Sequence, residues 1–501
     1  MVLPPFLLTF VFVMIIDELI YQIHQHFGFT PTVEQERALQ TFAQFLTDRT
    51  PQTVMVMRGS AGTGKTSLAG AIVRTMMALK QKVMLLAPTG RAAKVFSLNA
   101  SHPAFTIHRR IYRQKSLTGD FSLNDNLCQD TLFVVDEASM IANEGFTDTP
   151  FGSGHLLDDL IQFVYSGRNC RLMLIGDKAQ LPPVGEVESP ALMGDYLKGY
   201  GLKVYECDLN EVLRQSQESG ILYNATLVRQ MITHDEMTKL PKIRFNGFAD
   251  IQVIPGDELI ESLSSSYSRV GMDETIVVTR SNKRANIYNQ GIRNMVLGRE
   301  EELSRGDQLM VVKNNYFYGL TPSQEIERPS KEKTAPSTGI GETFLANGDR
   351  AIVQRVRNTR ELYGFRFADM TLQFPDYDNC EQTVTVLLDT LMTEAPALTH
   401  EQHEQLFLRV MEDYAYISRK NDRLQKLKTD PYYNAVQVKY AYAVTCHKAQ
   451  GGQWAHVYVD QGYMTDDMLT PDYIHWLYTA FTRATEKLFL VNWPEMQKSV
   501  E

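Results

Sequence analysis

The sequence predicts an α/β protein with two parallel-sheet cores in tandem, each carrying an insertion. Three observations lead there. Short apolar runs, each closed by a loop containing Gly, Pro or Asp, occur in two sets along the 501 residues. Helical stretches lie between several of them, the rhythm of a sheet covered on both faces. A glycine-rich loop of fixed spacing stands between the first run and the helix after it. A chain of this length exceeds one ordinary hydrophobic core, so two to four domains are expected.

The elements follow in order. Residues 3–16 (LPPFLLTFVFVMII) are apolar, but a spanning helix needs roughly 20 such residues, and a signal peptide needs a basic n-region. A more ordinary helical pattern opens at Met14. Residues 1–29 therefore read as a leader and helix with an over-extended start. A membrane anchor is the alternative, and no membrane partner is expected. The first core, 30–213, holds the runs 54–57 (VMVM), 83–87 (VMLLA), 132–135 (LFVV) and 171–175 (RLMLI), with an insertion at 97–128. The second, 214–501, holds 276–279 (IVVT), 436–444 (VQVKYAYAV), 456–460 (HVYVD) and 488–491 (LFLV). An insertion of β-like pieces at about 300–435 interrupts it, and the Pro-, Gly-, Ser- and charge-rich stretch 319–341 reads as a mobile loop.

Composition narrows the class. A hydrophobic fraction of 44% and a charged fraction of 22% are those of a globular chain. The five cysteines, Cys128, Cys170, Cys207, Cys380 and Cys446, contain no C-x-x-C pair. That argues against a disulfide framework or zinc module and for a reducing cytoplasm. The net charge of −9 opposes a nucleic-acid partner, but its distribution reverses the inference. Between Arg49 and Gly119 there are twelve Lys or Arg and no Asp or Glu, so the other 38 basic residues face all 59 acidic ones. A basic surface on an acidic body can follow phosphates without binding every polyanion.

The glycine-rich loop is Gly59-Ser60-Ala61-Gly62-Thr63-Gly64-Lys65-Thr66, with Ser67 next, between VMVM and a helical run. This spacing lets backbone N–H groups wrap the phosphates of ATP at a helix N-terminus. Lys65 would reach the β- and γ-phosphates, and Thr66 would hold Mg²⁺. Asp136 and Glu137 close the run LFVV. The first can complete the Mg²⁺ shell and the second can position or deprotonate the attacking water. The run His400-Glu401-Gln402-His403-Glu404 lacks the H-E-x-x-H spacing and reads as a solvated helix.

Together, GSAGTGKT, APTGRAAK (87–94), TIHR (106–109), VVDEAS (134–139), GDKAQLPPVG (176–185), LNEVLRQ (209–215), TCHKAQGGQW (445–454) and YTAFTRA (478–484) resemble the superfamily-one helicases. The resemblance is nearest the RecD-like, Pif-like and Dda-like branch and runs from about residue 30 to 493. It implies two tandem RecA-like P-loop NTPase cores, with a small hairpin insertion in the first and a β-barrel-like insertion in the second. It implies that Gln35 reads adenine, the alternative being a solvated helical glutamine. Gln180 links the γ-phosphate to the DNA channel, and Arg214 and Arg483 close on the γ-phosphate from the second core. Gln453 stands where relatives often carry Glu facing the ribose. Pro88, Thr89, Thr106, His108, Thr445 and His447 would line the single-strand path. The segment 112–123 reads as a hairpin with a Leu-Thr-Gly-Asp turn. The resemblance makes it a wedge at the duplex junction, with Phe121 as its stacking residue. A decorative hairpin is the alternative.

The implied function is an ATP-dependent DNA helicase moving 5′ to 3′. Its partners would be single-stranded DNA, duplex junctions, and replication or recombination proteins. The rivals are an RNA helicase or remodeller, and a nucleotide-dependent DNA-binding module that does not unwind.

Overall fold

A computed structural model describes residues 5–114, 121–144, 152–211, 218–234, 236, 239–319, 344–464 and 468–499. The first unit opens with α1 (Pro5–Phe27) and α2 (Val33–Thr47), then β1 (Thr53–Gly59), α3 (Lys65–Ala78), β2 (Lys82–Ala87), α4 (Gly90–Ala100) and β3 (Ala104–Thr106). It continues through α5 (Ile107–Ile111), β4 (Tyr112–Gln114), β5 (Phe121–Leu123), β6 (Thr131–Val135), α6 (Leu156–Ser166), β7 (Arg171–Gly176), α7 (Gly194–Lys198) and β8 (Lys203–Leu209). Its sheet has the order β3-β2-β6-β7-β1-β8, parallel at every pairing. Strand β6 is buried throughout and β1 and β7 nearly so, which is why each reads as an unbroken apolar run. Helices α1 to α4 contribute to the cluster on one face of the sheet, where Leu19, Ile23 and Phe27 of α1 are buried. Ile107, Leu160 and Leu197, from α5 to α7, join the cluster on the other face. Among the described residues, no helix is long and apolar enough to cross a membrane.

The second unit runs through α8 (Gly220–Thr233), β9 (Ile251–Ile254), α9 (Leu259–Arg269), β10 (Thr275–Thr279) and α10 (Asn282–Gly291). Then come β11 (Gln308–Val311), β12 (Asn315–Gly319), β13 (Phe344–Leu345), β14 (Arg350–Leu362), β15 (Phe365–Phe374), β16 (Cys380–Leu387), α11 (His400–Asp413), α12 (Lys420–Lys428) and β17 (Val436–Tyr440). The chain returns to the core with β18 (Ala443–Thr445), α13 (Cys446–Ala449), β19 (Trp454–Asp460), α14 (Pro471–Phe481) and β20 (Ala484–Val491). The second sheet, β18-β10-β19-β20-β9, is also parallel at every pairing. Strands β11, β14, β15, β16 and β17 close into a barrel.

Two expectations need correction. The run 436–444, read as one strand of the second core, is divided: β17 completes the barrel and β18 enters the parallel sheet. Asn289 makes the division. Its amide donates to the carbonyl of Ala443 at 2.9 Å and accepts from the Ala443 N–H at 2.8 Å, drawing the chain over to α10. The second correction concerns Phe121. Strands β4 and β5 pair with Gln114 opposite Phe121, so Phe121 stands on the hairpin strand itself. Its ring is buried, edge-on to Phe344 at 5.9 Å between centroids, and is not offered to a duplex. The turn of the hairpin (115–120) lies outside the described residues, as does most of the loop expected at 319–341 (320–343).

One buried carboxylate ties the barrel to its core. Asp307, just before β11, receives Arg293 at 3.1 and 3.0 Å, Arg299 at 2.6 Å, the Tyr442 hydroxyl at 2.8 Å and the Ser304 N–H at 2.7 Å. Burial alone would raise its pKa; these donors outweigh burial and hold it below the usual carboxylate range. Removing one partner of a buried pair costs about 3–5 kcal/mol. Asp307→Ala should therefore lower the denaturant midpoint of the barrel-bearing half. Because the folded pKa is depressed, the stabilisation is present at neutral pH and is lost as pH falls through the carboxylate range. The parent should lose stability there more steeply than Asp307→Ala, with both followed by tryptophan fluorescence.

Candidate nucleotide site and strand path

Three neighbouring strands of the first sheet, β6, β7 and β1, end side by side and deliver the chemistry. Ligands of open parallel sheets bind beyond the carboxyl ends of the strands. The loop after β1 turns at Gly62 (φ 78°) and Gly64 (φ 77°), a left-handed conformation that glycine adopts without steric cost. Gly64 caps α3 with no side-chain acceptor, so the first N–H groups of that helix stay available to phosphate. A Cβ on Gly59 would stand 2.9 Å from the Thr63 hydroxyl, which itself donates to the Ser60 carbonyl at 2.8 Å. Lys65 and Thr66 open α3.

Asp136 and Glu137 follow β6, and Asp177 follows β7. Asp136 is buried and accepts from the Glu137 N–H at 2.9 Å. Burial, then the charge of Glu137, pushes its carboxyl up to about 7 against the opposing charge of Lys65. Burial likewise raises Asp177, again opposed by Lys65. Glu137 holds a left-handed backbone (φ 53°), a conformation costing a non-glycine residue of order 1–3 kcal/mol and found chiefly at functional sites. Among the described residues, Glu137 Oε2 and Gln180 Oε1 are buried without hydrogen-bond partners. Two buried aspartates in the field of Lys65, with orphaned oxygens on Glu137 and Gln180, suit a site completed by a polar, charged ligand, although among the described residues no three such side chains gather as a ready metal cage.

Gln35 is buried rather than solvated, which removes that alternative. Its amide donates to the Thr63 carbonyl at 2.9 Å and accepts from the Thr32 N–H at 3.0 Å, bracing the loop from the capping box of α2. Gln453 is exposed, and its backbone carbonyl accepts from Arg91 at 2.5 Å. Arg214 lies outside the described residues. Arg483 is buried within the second core and donates to the carbonyls of Thr479 (3.0 Å) and Gly452 (3.1 Å), so it is not drawn onto the loop here.

Other groups of the second core do reach the first. The Tyr478 hydroxyl donates to Asp177 at 2.6 Å and accepts from the Ala61 N–H at 2.9 Å. Thr479 Oγ1 accepts from the Leu181 N–H at 2.8 Å, and Gln450 donates to the Leu181 carbonyl at 2.7 Å. Arg229 of α8 donates to the Ser60 hydroxyl.

The residues expected along a strand lie at the far edges of both sheets. Pro88 and Thr89 follow β2, Thr106 ends β3, and Thr445 ends β18 in register with Thr279. Thr89 and Thr106 cap α4 and α5, accepting from the N–H groups of Ala92 and Arg109. A Cβ on Gly451 would come within 3.1 Å of Thr89 Oγ1, so the two cores meet beside that path. His447 is exposed. His108 is half-buried against Tyr112, with ring centroids 5.7 Å apart, and burial lowers it to about 4. It is therefore a neutral ring at physiological pH. The barrel borders this edge as well, for Lys94 of α4 donates to the Pro375 carbonyl at 2.8 Å, between β15 and β16.

Residues 31–240 match the family described as an AAA domain, and residues 440–491 match the UvrD-like helicase C-terminal domain. The ATP-dependent DNA helicase dda of Enterobacteria phage T4 is 25% identical over 266 residues, 51% of this chain and 56% of that protein. These matches make the chain similar to the superfamily-one helicases of the Pif, RecD and Dda branch. An uncharacterised protein of Methanocaldococcus jannaschii is 24% identical over 93% of this chain, which spans 39% of that relative's length. A Pif1 helicase from Bacteroides, solved in complex with ADP-AlF3 and single-stranded DNA, aligns over 94% of this chain and 95% of that one at 14% identity, with a TM-score of 0.44.

Within this helicase-like chain, sequence reasoning missed three groups. Tyr478 opens the segment YTAFTRA and could have been flagged by that position. Lys448 stands in TCHKAQGGQW; among the described residues its ammonium is buried without a hydrogen-bond partner, and burial, then Lys439, lowers it to about 8. That makes it a candidate for a backbone phosphate. Arg229 lies in no quoted motif. For the groups that were read, Lys65→Ala should reduce ATP turnover by about 10²–10³-fold or more, by removing a preorganised charge from the developing phosphate charge. Glu137→Gln should retain nucleotide binding while turnover falls comparably. A Glu137→Gln variant turning over at the parental rate in a phosphate-release assay would remove Glu137 from the water-activating role.

Proposed function

We propose that this chain is an ATP-dependent DNA helicase that translocates 5′ to 3′ on single-stranded DNA and separates the duplex ahead of it. One observation carries the reading. The same two cores that meet at the phosphate loop, through Tyr478 and Arg229, also meet beside the strand path, where Gly451 packs on Thr89. A change of closure at the nucleotide must therefore be felt at the strand. Hydroxyls and backbone N–H groups along that path would hold phosphates without reading sequence.

Thr66 and Asp136 would hold Mg²⁺, which supplies charge neutralisation on the phosphates. Lys65 binds the terminal phosphates, Glu137 orients water for in-line attack, and Gln180 carries occupancy toward the strand path. Arg214 and Arg483 close from the second core. The hydrolytic set favours a motor over a passive clamp, because a clamp needs no water-activating carboxylate. DNA as the substrate follows the named relatives, and the polarity follows the branch. Replication, repair or recombination proteins are the partners this reading implies, and the five free cysteines suit a cytoplasmic setting.

ATP turnover should be weak alone and strongly stimulated by single-stranded DNA, with Arg483→Ala removing most of the stimulated rate, about 10³-fold if it acts as a finger. Duplexes with a 5′ tail should be unwound and those with a 3′ tail left paired. Equal turnover with and without single strands would overturn the coupling, and preference for matched RNA duplexes would reassign the substrate.

Strand separation is assigned to segment 115–120, carried between β4 and β5, with Phe121 anchoring the base on Phe344. Replacing 115–120 with a short glycine turn should leave DNA-stimulated ATP turnover nearly intact while unwinding falls sharply. Unwinding at the parental rate, or loss of both activities together, would remove the wedge role.

A further inference from the structure

Arg229 is a cation that, among the described residues, has no ion-pair partner, set against the phosphate loop. It projects from α8, whose N-terminus is fixed by the Asp250 carboxylate on Ser219 (2.5 Å) and on the Gly220 N–H (2.8 Å). Ile221, Ala225 and Val228 hold that helix in the core of the second unit, so Arg229 leaves a seated element. Its guanidinium donates to the Ser60 hydroxyl and, at 3.4 Å from each Nη, to the Asn210 carbonyl. Among the described residues it has no carboxylate within ion-pair distance.

Its surroundings place it at the reacting end of the loop. Ser60 directly precedes Ala61, whose N–H is held by the Tyr478 hydroxyl, and Arg229 acts electrostatically on that hydroxyl. The same hydroxyl reaches Asp177, which in turn lies within the field of Lys65 and Glu137. Lys65, Tyr478 and Arg229 therefore ring one short stretch of backbone, two of them cationic and two of them from the second core. A guanidinium whose partners among the described residues are a hydroxyl and a carbonyl gains more from a doubly charged phosphate than from those neutral oxygens.

We propose that Arg229 is a further phosphate-binding residue, resting on Ser60 and transferring to the terminal phosphate of ATP when the cores close. It would distinguish ATP from ADP, because ADP lacks the phosphate it seeks. The second core would then sense the nucleotide through α8, a helix that carries neither Arg214 nor Arg483. This rests on the ATP-hydrolysing reading, and the test separates the two.

Binding of ADP and of a non-hydrolysable ATP analogue to the full chain, with single-stranded DNA present, is measured for the parent, Arg229→Gln and Arg229→Lys. Losing a charge-assisted bond should weaken analogue binding about 10–100-fold in Arg229→Gln while ADP binding stays within about twofold. Arg229→Lys should recover part of the preference, and kcat under stimulation should fall in the same order. Equal weakening of both nucleotides would make Arg229 a brace of the loop and overturn the proposal, as would unchanged preference in Arg229→Gln. Should Arg229→Gln melt early, Arg229→Lys decides: a folded lysine variant with no change in preference or kcat also overturns it. If the parent hydrolyses no ATP while Arg229→Gln still loses preference for the analogue, the motor reading fails and the assignment of Arg229 stands.

Discussion

A phosphate loop must keep several backbone N–H groups unpaired in a cleft where water is scarce, and an orphaned donor there costs about 1–3 kcal/mol. The protein meets this by lending groups from the second core. The Tyr478 hydroxyl accepts the Ala61 N–H, while Arg229 donates to the Ser60 hydroxyl and Gln35, from within the first core, donates to the Thr63 carbonyl, so that the loop's shape is held on its oxygens as well. The loop is thus shaped before nucleotide arrives, and its partners include those that must rearrange when nucleotide binds. Catalytic geometry and interdomain contact are one arrangement seen from two sides.

Charge follows the same economy. Asp136 and Asp177, at the ends of adjacent strands, both feel the charges of Lys65 and Glu137, and burial raises both aspartates. On the proposed reading, a divalent ion and guanidiniums of the second core would balance this cluster, and closure of the cores would be favoured by the ligand's charge and opposed when that charge leaves.

The legible parts of the sequence were those whose physics is local. β1, β6 and β7 are buried on both faces and read as apolar runs; the phosphate loop carries its glycines where backbone angles demand them. β8 was missed because, at the sheet edge, its residues up to Asp208 are exposed or partly buried, with charges among them. β3 and β9 are too short to carry a period. The division of 436–444 depends on Asn289, far away in sequence, and nothing within the run marks it. Phe121 failed for a related reason: an aromatic on a hairpin suits either solvent or core, and its partner Phe344 sits in the other insertion. Gln35 was read as an adenine contact, and the buried bonds that tie its amide to Thr63 and Thr32 could not be read without those partners beside it. Arg229 and Tyr478 act across the gap between cores, where one-dimensional patterns have no reach.

The barrel leaves and re-enters its core in different ways. It departs through α10 and the Arg293–Asp307 cluster, yet returns by only Ala441 and Tyr442, which separate β17 from β18. From Lys439 in the barrel wall to Lys448 beside the strand path, the chain is strand, bend, strand and helix with no slack. The barrel is therefore not a detachable ornament on a hinge. Exchanging it for a barrel from another protein would require keeping the spacing of that return to the residue, or Thr445 would shift along its strand and change face with every added residue. In this protein the insertion and the core that carries it have to change together.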